Sequence, residues 1–186
     1  MILPRFRRNS HSRSITALYG AIVAQARSAS FYATYGVPDT VQGRFDLIVL
    51  HLVLLLERLE RADSAGRGLG QQVFDVFCRD LDANLREMGV GDLAVPKRMR
   101  RFGEAFYGRQ AAYRAALTAA DRRALEKALT RNIFQGDDNR ATGIEDATAR
   151  LADYVRAVLR QLDSQDAGAL LRGEVVFPNP EAIGHA

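Results

Sequence analysis

The chain has 186 residues, 47% of them hydrophobic, a formal net charge of +4 and one cysteine, Cys78. That length fits a single domain able to bury roughly 70% of the surface its unfolded form exposes, which argues against disorder, and a lone thiol excludes an internal disulfide and a cysteine-based zinc site. Lys97 and Lys127 are the only lysines, so the positive charge is carried almost wholly by guanidinium groups, which pair with phosphate and carboxylate in fork geometry.

The opening MILPRFRRNSHSRSITALYG carries Arg5, Arg7, Arg8 and Arg13, and no acidic residue precedes Asp39. Its composition is close to that of a mitochondrial presequence, but Pro4 and the arginines interrupt any apolar core of a secretory signal, and residues 1–13 read as a basic flexible arm. A helical domain is expected over 14–172, followed by an extended tail over 173–186. Ile15, Leu18, Ile22 and Ala26 keep helical spacing, and SASFYATYGVPDT breaks that helix at Gly36 and Pro38. Asp39 or Thr40 is placed to cap a second helix from Val41 to about Ala62. That helix contains the apolar block Leu47 to Leu56, broken only by His51 and closed by Glu57 and Arg58. The block is too short to span a bilayer, which takes about 20 apolar residues, and apolar on all sides, which predicts the central helix of an all-helical core.

DSAGRGLG reads as a flexible break. Phe74, Phe77, Leu81, Leu85 and Met88 then mark a third helix ended by the glycines of GVGDLAVP. Met99, Phe102, Phe106, Tyr113 and Leu117 mark a fourth from near Pro96, and Thr118 or Asp121 starts a fifth that ends near Phe134. QGDDNRATG is a polar loop. Ala147, Leu151, Tyr154, Val158 and Leu162 trace a sixth, with a short helical turn over Ala167 to Leu171. Only GEVVF hints at a strand. The fold class is therefore all-α, a single compact domain of about six to seven helices in orthogonal or bundled packing.

Catalytic chemistry has no visible candidate. His11, His51 and His185 stand outside any HExxH or ExxH arrangement, GRGLG follows a helix rather than a strand, GDDNR lacks the spacing of a calcium loop, and no serine sits in a nucleophile elbow. His51 is expected to be a core histidine bonded to a carbonyl or carboxylate rather than a haem or metal ligand. An enzyme of quinone or haem metabolism centred on it is the weakest reading. The informative segment is PKRMRRFGEAFYGRQAAYR, where Met99, Phe102, Phe106 and Tyr113 share a helix face while Lys97, Arg98, Arg100, Arg101 and Arg109 crowd the others. Such a face attracts an anionic leaflet at about 1 kcal/mol per cation, or RNA phosphate with a similar salt dependence. A merely solvated face is the plain alternative.

VPDTVQGRFDLIVLHLVLLLERL, GVGDLAVPKRMRRFGEAFYGR and ADYVRAVLRQLDSQDAGALLRGEVVF together resemble the ubiquinol-cytochrome c chaperone family, the assembly factors of respiratory complex III. The resemblance covers Leu18 to about Phe177 and rests on the order of the pieces: Pro38-Asp39-Thr40, the helix with His51, the Gly89 turn before a basic helix, Tyr154-Val155-Arg156, Leu162-Asp163 and Gly173-Glu174-Val175. It implies a binding protein, with no reaction and no cofactor of its own, that holds newly made cytochrome b, together with a small second assembly factor and the ribosome. A chain this short and rich in Arg and Ala looks bacterial, and is expected in the cytoplasm at the inner face of the inner membrane, or on the matrix side if eukaryotic. The aromatic loop Phe31, Tyr32 and Tyr35, with Lys97, Arg98, Arg100, Arg101 and Arg109, is expected to contact partners; core packing of the loop is its alternative. From another class, the same basic helix makes a ribosome- or RNA-binding module.

Overall fold

The computed structural model describes residues 4–119, 121–134 and 143–184. Six long helices carry the fold: α1 (Pro4–Ala26), α3 (Val41–Glu60), α4 (Ser64–Glu87), α5 (Val95–Thr118), α6 (Arg122–Ile133) and α7 (Ile144–Ser164). Three short ones complete it, α2 (Ser30–Ala33), α8 (Ala167–Leu171) and α9 (Pro180–Gly184), and no strand occurs among the described residues. The all-helical class predicted from periodicity is the one observed.

α3 sits in the middle. Leu47, Val49, Leu50, Leu52, Val53, Leu54, Leu55 and Leu59 are all buried, and α1, α4, α5, α6 and α7 pack around it. A helix apolar on every side has no face to offer water and is stable only when sheathed in this way. Its start is set locally, since Thr40 Oγ1 accepts the Gly43 N–H at 3.0 Å, one of the donors a helix leaves unpaired at its first turn.

Several expected boundaries move. DSAGRGLG is not a break but the cap and opening turns of α4: Asp63 Oδ1 accepts the Gly66 N–H at 3.0 Å. Gly66 serves close packing, because a Cβ there would lie 2.6 Å from that of Ala62 and 2.8 Å from the Leu59 carbonyl oxygen. The helix cost of glycine, about 1 kcal/mol, is outweighed there by the approach of α4 to α3. α1 is helical from Pro4, within the segment read as an arm. The tail runs without regular structure from 174 to 179, GEVVF included, and then turns into α9. The polar loop expected at QGDDNRATG lies outside the described residues apart from Gly143, as does His185.

α4 and α5 form a long hairpin. α4 ends in a glycine turn in which the Val90 N–H bonds the Leu85 carbonyl at 3.0 Å and the Gly89 N–H that of Arg86 at 2.9 Å, with Gly89 at φ +79°. Only glycine adopts that conformation readily, and the paired bonds satisfy the last carbonyls of the helix.

Candidate functional site

Two places in this fold carry the residues singled out by the sequence. The first is internal. His51, wholly buried on α3, places Nδ1 2.7 Å from the Leu47 carbonyl and Nε2 2.8 Å from the Tyr154 hydroxyl of α7. A carbonyl only accepts, so Nδ1 carries the proton and Nε2 accepts from Tyr154. Tyr154 Oη in turn accepts from Gln25 Nε2 at 2.8 Å, and the same amide donates to the Pro178 carbonyl at 2.8 Å. Burial lowers the His51 pKa to about 4, against a smaller opposing pull from the Leu47 carbonyl, so the ring is neutral. Burial likewise raises Tyr154 well above the usual phenol range. Both imidazole nitrogens are engaged, so His51 is a structural histidine here, as its setting in the apolar block predicts.

Aromatic rings enclose this network. Phe31 meets His51 and Tyr154 edge-on at centroid distances of 5.4 and 4.9 Å, and Phe177 of the tail meets His51 at 5.5 Å. Tyr35 packs against Phe31 and Tyr154 and donates its hydroxyl to the Pro180 carbonyl at 2.8 Å. Phe31 and Tyr35 are therefore core residues with no surface left for a partner, which corrects the expected aromatic contact loop. Large rings gain most by burial, and the tail covers them. Tyr32 alone stays half-exposed, donating to the Ala26 carbonyl at 3.1 Å with the Arg44 guanidinium over its ring. The tail is also held at Gln165, whose side-chain amide donates to the Val176 carbonyl at 2.9 Å and accepts the Val176 N–H at 2.8 Å. Sequence reading missed Gln25, Gln165 and Phe177 as parts of one assembly, and left Tyr154 as one of several helix-face residues; nothing in local spacing links them.

The second place is the hairpin end. Lys97, Arg98, Arg100 and Arg101 are exposed on the first turns of α5. Arg100 pairs with Glu104 at 3.2 Å, while Lys97, Arg98 and Arg101 have no ion pair among the described residues. Arg109 separates from them: it turns inward to Asp46 at 2.8 Å, the two side chains 18% and 6% exposed. Gln42 donates to the same carboxylate at 2.9 Å. Burial raises the Asp46 pKa, with Gln42 and Arg109 pulling it down, so Arg109 serves the core rather than a partner. Ahead of the basic turns, Leu93 is 98% and Met88 71% exposed. Away from this end, toward the start of α4, a shallow cleft of about 190 Å³ opens between α3, α4 and α5, walled by Leu56, Phe74, Phe106 and Tyr107 and by the polar Glu60, Arg67, Gln71 and Gln110. Among the described residues no helix is long and apolar enough to cross a membrane, and no group of three or more His, Cys, Asp or Glu side chains is placed to hold a metal ion.

Compared with known proteins, residues 33–177 match the model of one family, described as ubiquinol-cytochrome C chaperone. The chain belongs to that family. The matched span takes in α3, the hairpin and the tail up to Phe177, the ring against His51. Relatives include the ubiquinol-cytochrome-c reductase complex assembly factor 1 of Xenopus laevis, 28% identical over 163 residues that cover 86% of this chain and 78% of the frog protein. The factor of the same name in Mus musculus is 26% identical over 172 residues, 89% of this chain but 57% of the mouse protein. The chain thus spans little more than half of that mammalian relative. Among solved structures, the Cbp3 homolog from Brucella abortus is 38% identical, with a TM-score of 0.86 over 98% of this chaperone-family chain and 99% of the other.

Proposed function

We propose that this protein is an assembly chaperone of ubiquinol-cytochrome c reductase that binds newly made cytochrome b and carries out no reaction of its own. The observation that carries the reading is the family match over residues 33–177. The surface supports it. A keeper of an apolar membrane protein needs exposed apolar surface for its client and charge to stay near the bilayer, and the hairpin end supplies Leu93, Met88 and cations free of ion pairs among the described residues. The protein works against the inner membrane from its cytoplasmic face, or from the matrix in a mitochondrion, in contact with anionic lipid. A small second assembly factor and the ribosome are its further partners.

The test is genetic and biochemical. A deletion strain should contain less assembled cytochrome b, while the complex that remains turns over at its normal rate per haem; unchanged cytochrome b refutes the reading. Cytochrome b should also travel with the tagged chain from a detergent extract.

The ion-pair-free Lys97, Arg98 and Arg101 favour one other reading, an RNA- or ribosome-binding module. It requires RNA retention that falls steeply with salt and vanishes on charge reversal at these positions. An absence of RNA binding at low salt dismisses it.

A further inference from the structure

The membrane contact proposed above leaves open which part of the molecule meets the lipid; the geometry of the hairpin points to its tip. α4 and α5 have 24 residues each, about 36 Å of helix at 1.5 Å per residue, and turn around at residues 88–94. At that turn stand two large apolar side chains that the protein leaves mostly uncovered, Leu93 at 98% and Met88 at 71% exposure, with Leu85 and Val90 half-buried beside them. A glycine turn needs no leucine pointing into water, and Leu93 touches nothing that explains it.

The charges around the tip are sorted by pairing. Arg86 is held by Asp82 at 2.7 Å and by Asp92, and Arg100 by Glu104 at 3.2 Å. Glu87 is the one tip acid with no ion pair among the described residues, against three cations in that state: Lys97, Arg98 and Arg101. Arg101 lies six residues into α5 from Val95, so its backbone is only about 9 Å along the helix from the turn. The polar layer on each side of a bilayer is of similar depth, roughly 5–8 Å. With Leu93 at the acyl boundary, the three cations reach the phosphate level, and long basic side chains bend readily to stay there.

We infer that the α4–α5 tip is a docking surface for an anionic bilayer, in which Leu93 and Met88 enter the interface while Lys97, Arg98 and Arg101 bind lipid phosphate. RNA would use the cations but has no reward for two exposed aliphatic side chains, and the tip offers no exposed aromatic ring for a base to stack on. A bilayer rewards both features at once. The inference rests on the proposed work at the membrane and gives it a site.

The chain contains no tryptophan, so Leu93→Trp in the full-length protein is a single fluorescent reporter at the tip. With vesicles of equimolar phosphatidylglycerol and phosphatidylcholine its emission should move to the blue and be quenched by brominated acyl chains; with phosphatidylcholine alone it should do neither. Adding Arg98→Gln and Arg101→Gln should weaken vesicle binding roughly twenty-five-fold, about fivefold for each cation removed. These side chains are exposed, so circular dichroism and melting should not change. In the protein without the reporter, Leu93→Asn should weaken vesicle sedimentation about tenfold at unaltered charge, the value of withdrawing one aliphatic side chain. An emission that stays red on anionic vesicles overturns the inference. Binding that survives the arginine changes, or tighter retention on polyuridylate than on vesicles at equal salt, overturns it as well. Loss of cytochrome b in the deletion strain together with a red emission would leave the chaperone standing and remove only the tip.

Discussion

Acidification should unfasten this protein through His51. The imidazole has an ordinary pKa of 6.5 and one of about 4 in the fold, so between those values the unfolded chain binds a proton that the native one refuses. Stability then rises with pH across the window: it is complete above 6.5, falls as the pH drops, and has lost this contribution entirely below about 4. At 1.36 kcal/mol per unit the full loss is about 3 kcal/mol, reached with a slope near one proton, and for a domain of this length it corresponds to a fall in Tm of roughly 10 °C. Burial raises the Asp46 pKa, which acts in the opposite sense, because protonating that carboxyl relieves a native-state penalty. Its contribution is isolated by comparison. Urea unfolding of wild type and His51→Gln, measured by circular dichroism from pH 7.5 to 4.5, should give a falling midpoint in the first and a markedly flatter one in the second. Parallel curves would refute the claim that a neutral, doubly bonded imidazole holds the core.

Tyr154→Phe keeps the ring but strands His51 Nε2 as a buried acceptor, and should lower unfolding free energy in urea by about 2 kcal/mol with an unchanged m value. Gly43→Ala puts a Cβ 2.1 Å from the Pro38 carbonyl oxygen and should cost about 3 kcal/mol by overpacking. Gly108→Ala meets nothing within 4 Å on an exposed face of α5 and should instead gain about 0.5–1 kcal/mol; thermal melts of the two variants should move in opposite directions. Arg109→Ala leaves Asp46 buried with only Gln42 for company and should cost about 3 kcal/mol, part of which returns when Asp46→Ala is added. A double-mutant cycle with no coupling would contradict that pairing.

Much of the helix plan is readable from periodicity, because α3 is apolar on all sides and can only be central. Local capping at Thr40, Asp63, Asp121 and Asp166 sets four helix starts, though the glycines after Asp63 conceal the second of them. Propensity there points to a loop, and tertiary packing overrides it. Arg109 was legible by phase: it stands seven residues after Phe102 and three after Phe106, on the packed face, and groups with the surface arginines only when charge is weighed without rotation. The enclosure of Phe31, Tyr35 and His51 was not legible, since its closing partners lie far along the chain: Tyr154 is 103 residues from His51, and Pro178 is 153 from Gln25. No window of sequence contains both ends of those bonds. The exposed tip sits between these cases, because Leu93 reads as an ordinary apolar residue until the fold leaves it uncovered.

The order of synthesis gives the tail clasp a further meaning. Phe177, Pro178 and Pro180 leave the ribosome well over a hundred residues after Gln25, Tyr35 and His51, yet they complete the enclosure those residues begin. Bonds of such long sequence separation form slowly and only when both partners are free. A nascent chain stalled before residue 174 would therefore display an open aromatic hollow, and ordering of that hollow would report the moment at which the tail has emerged.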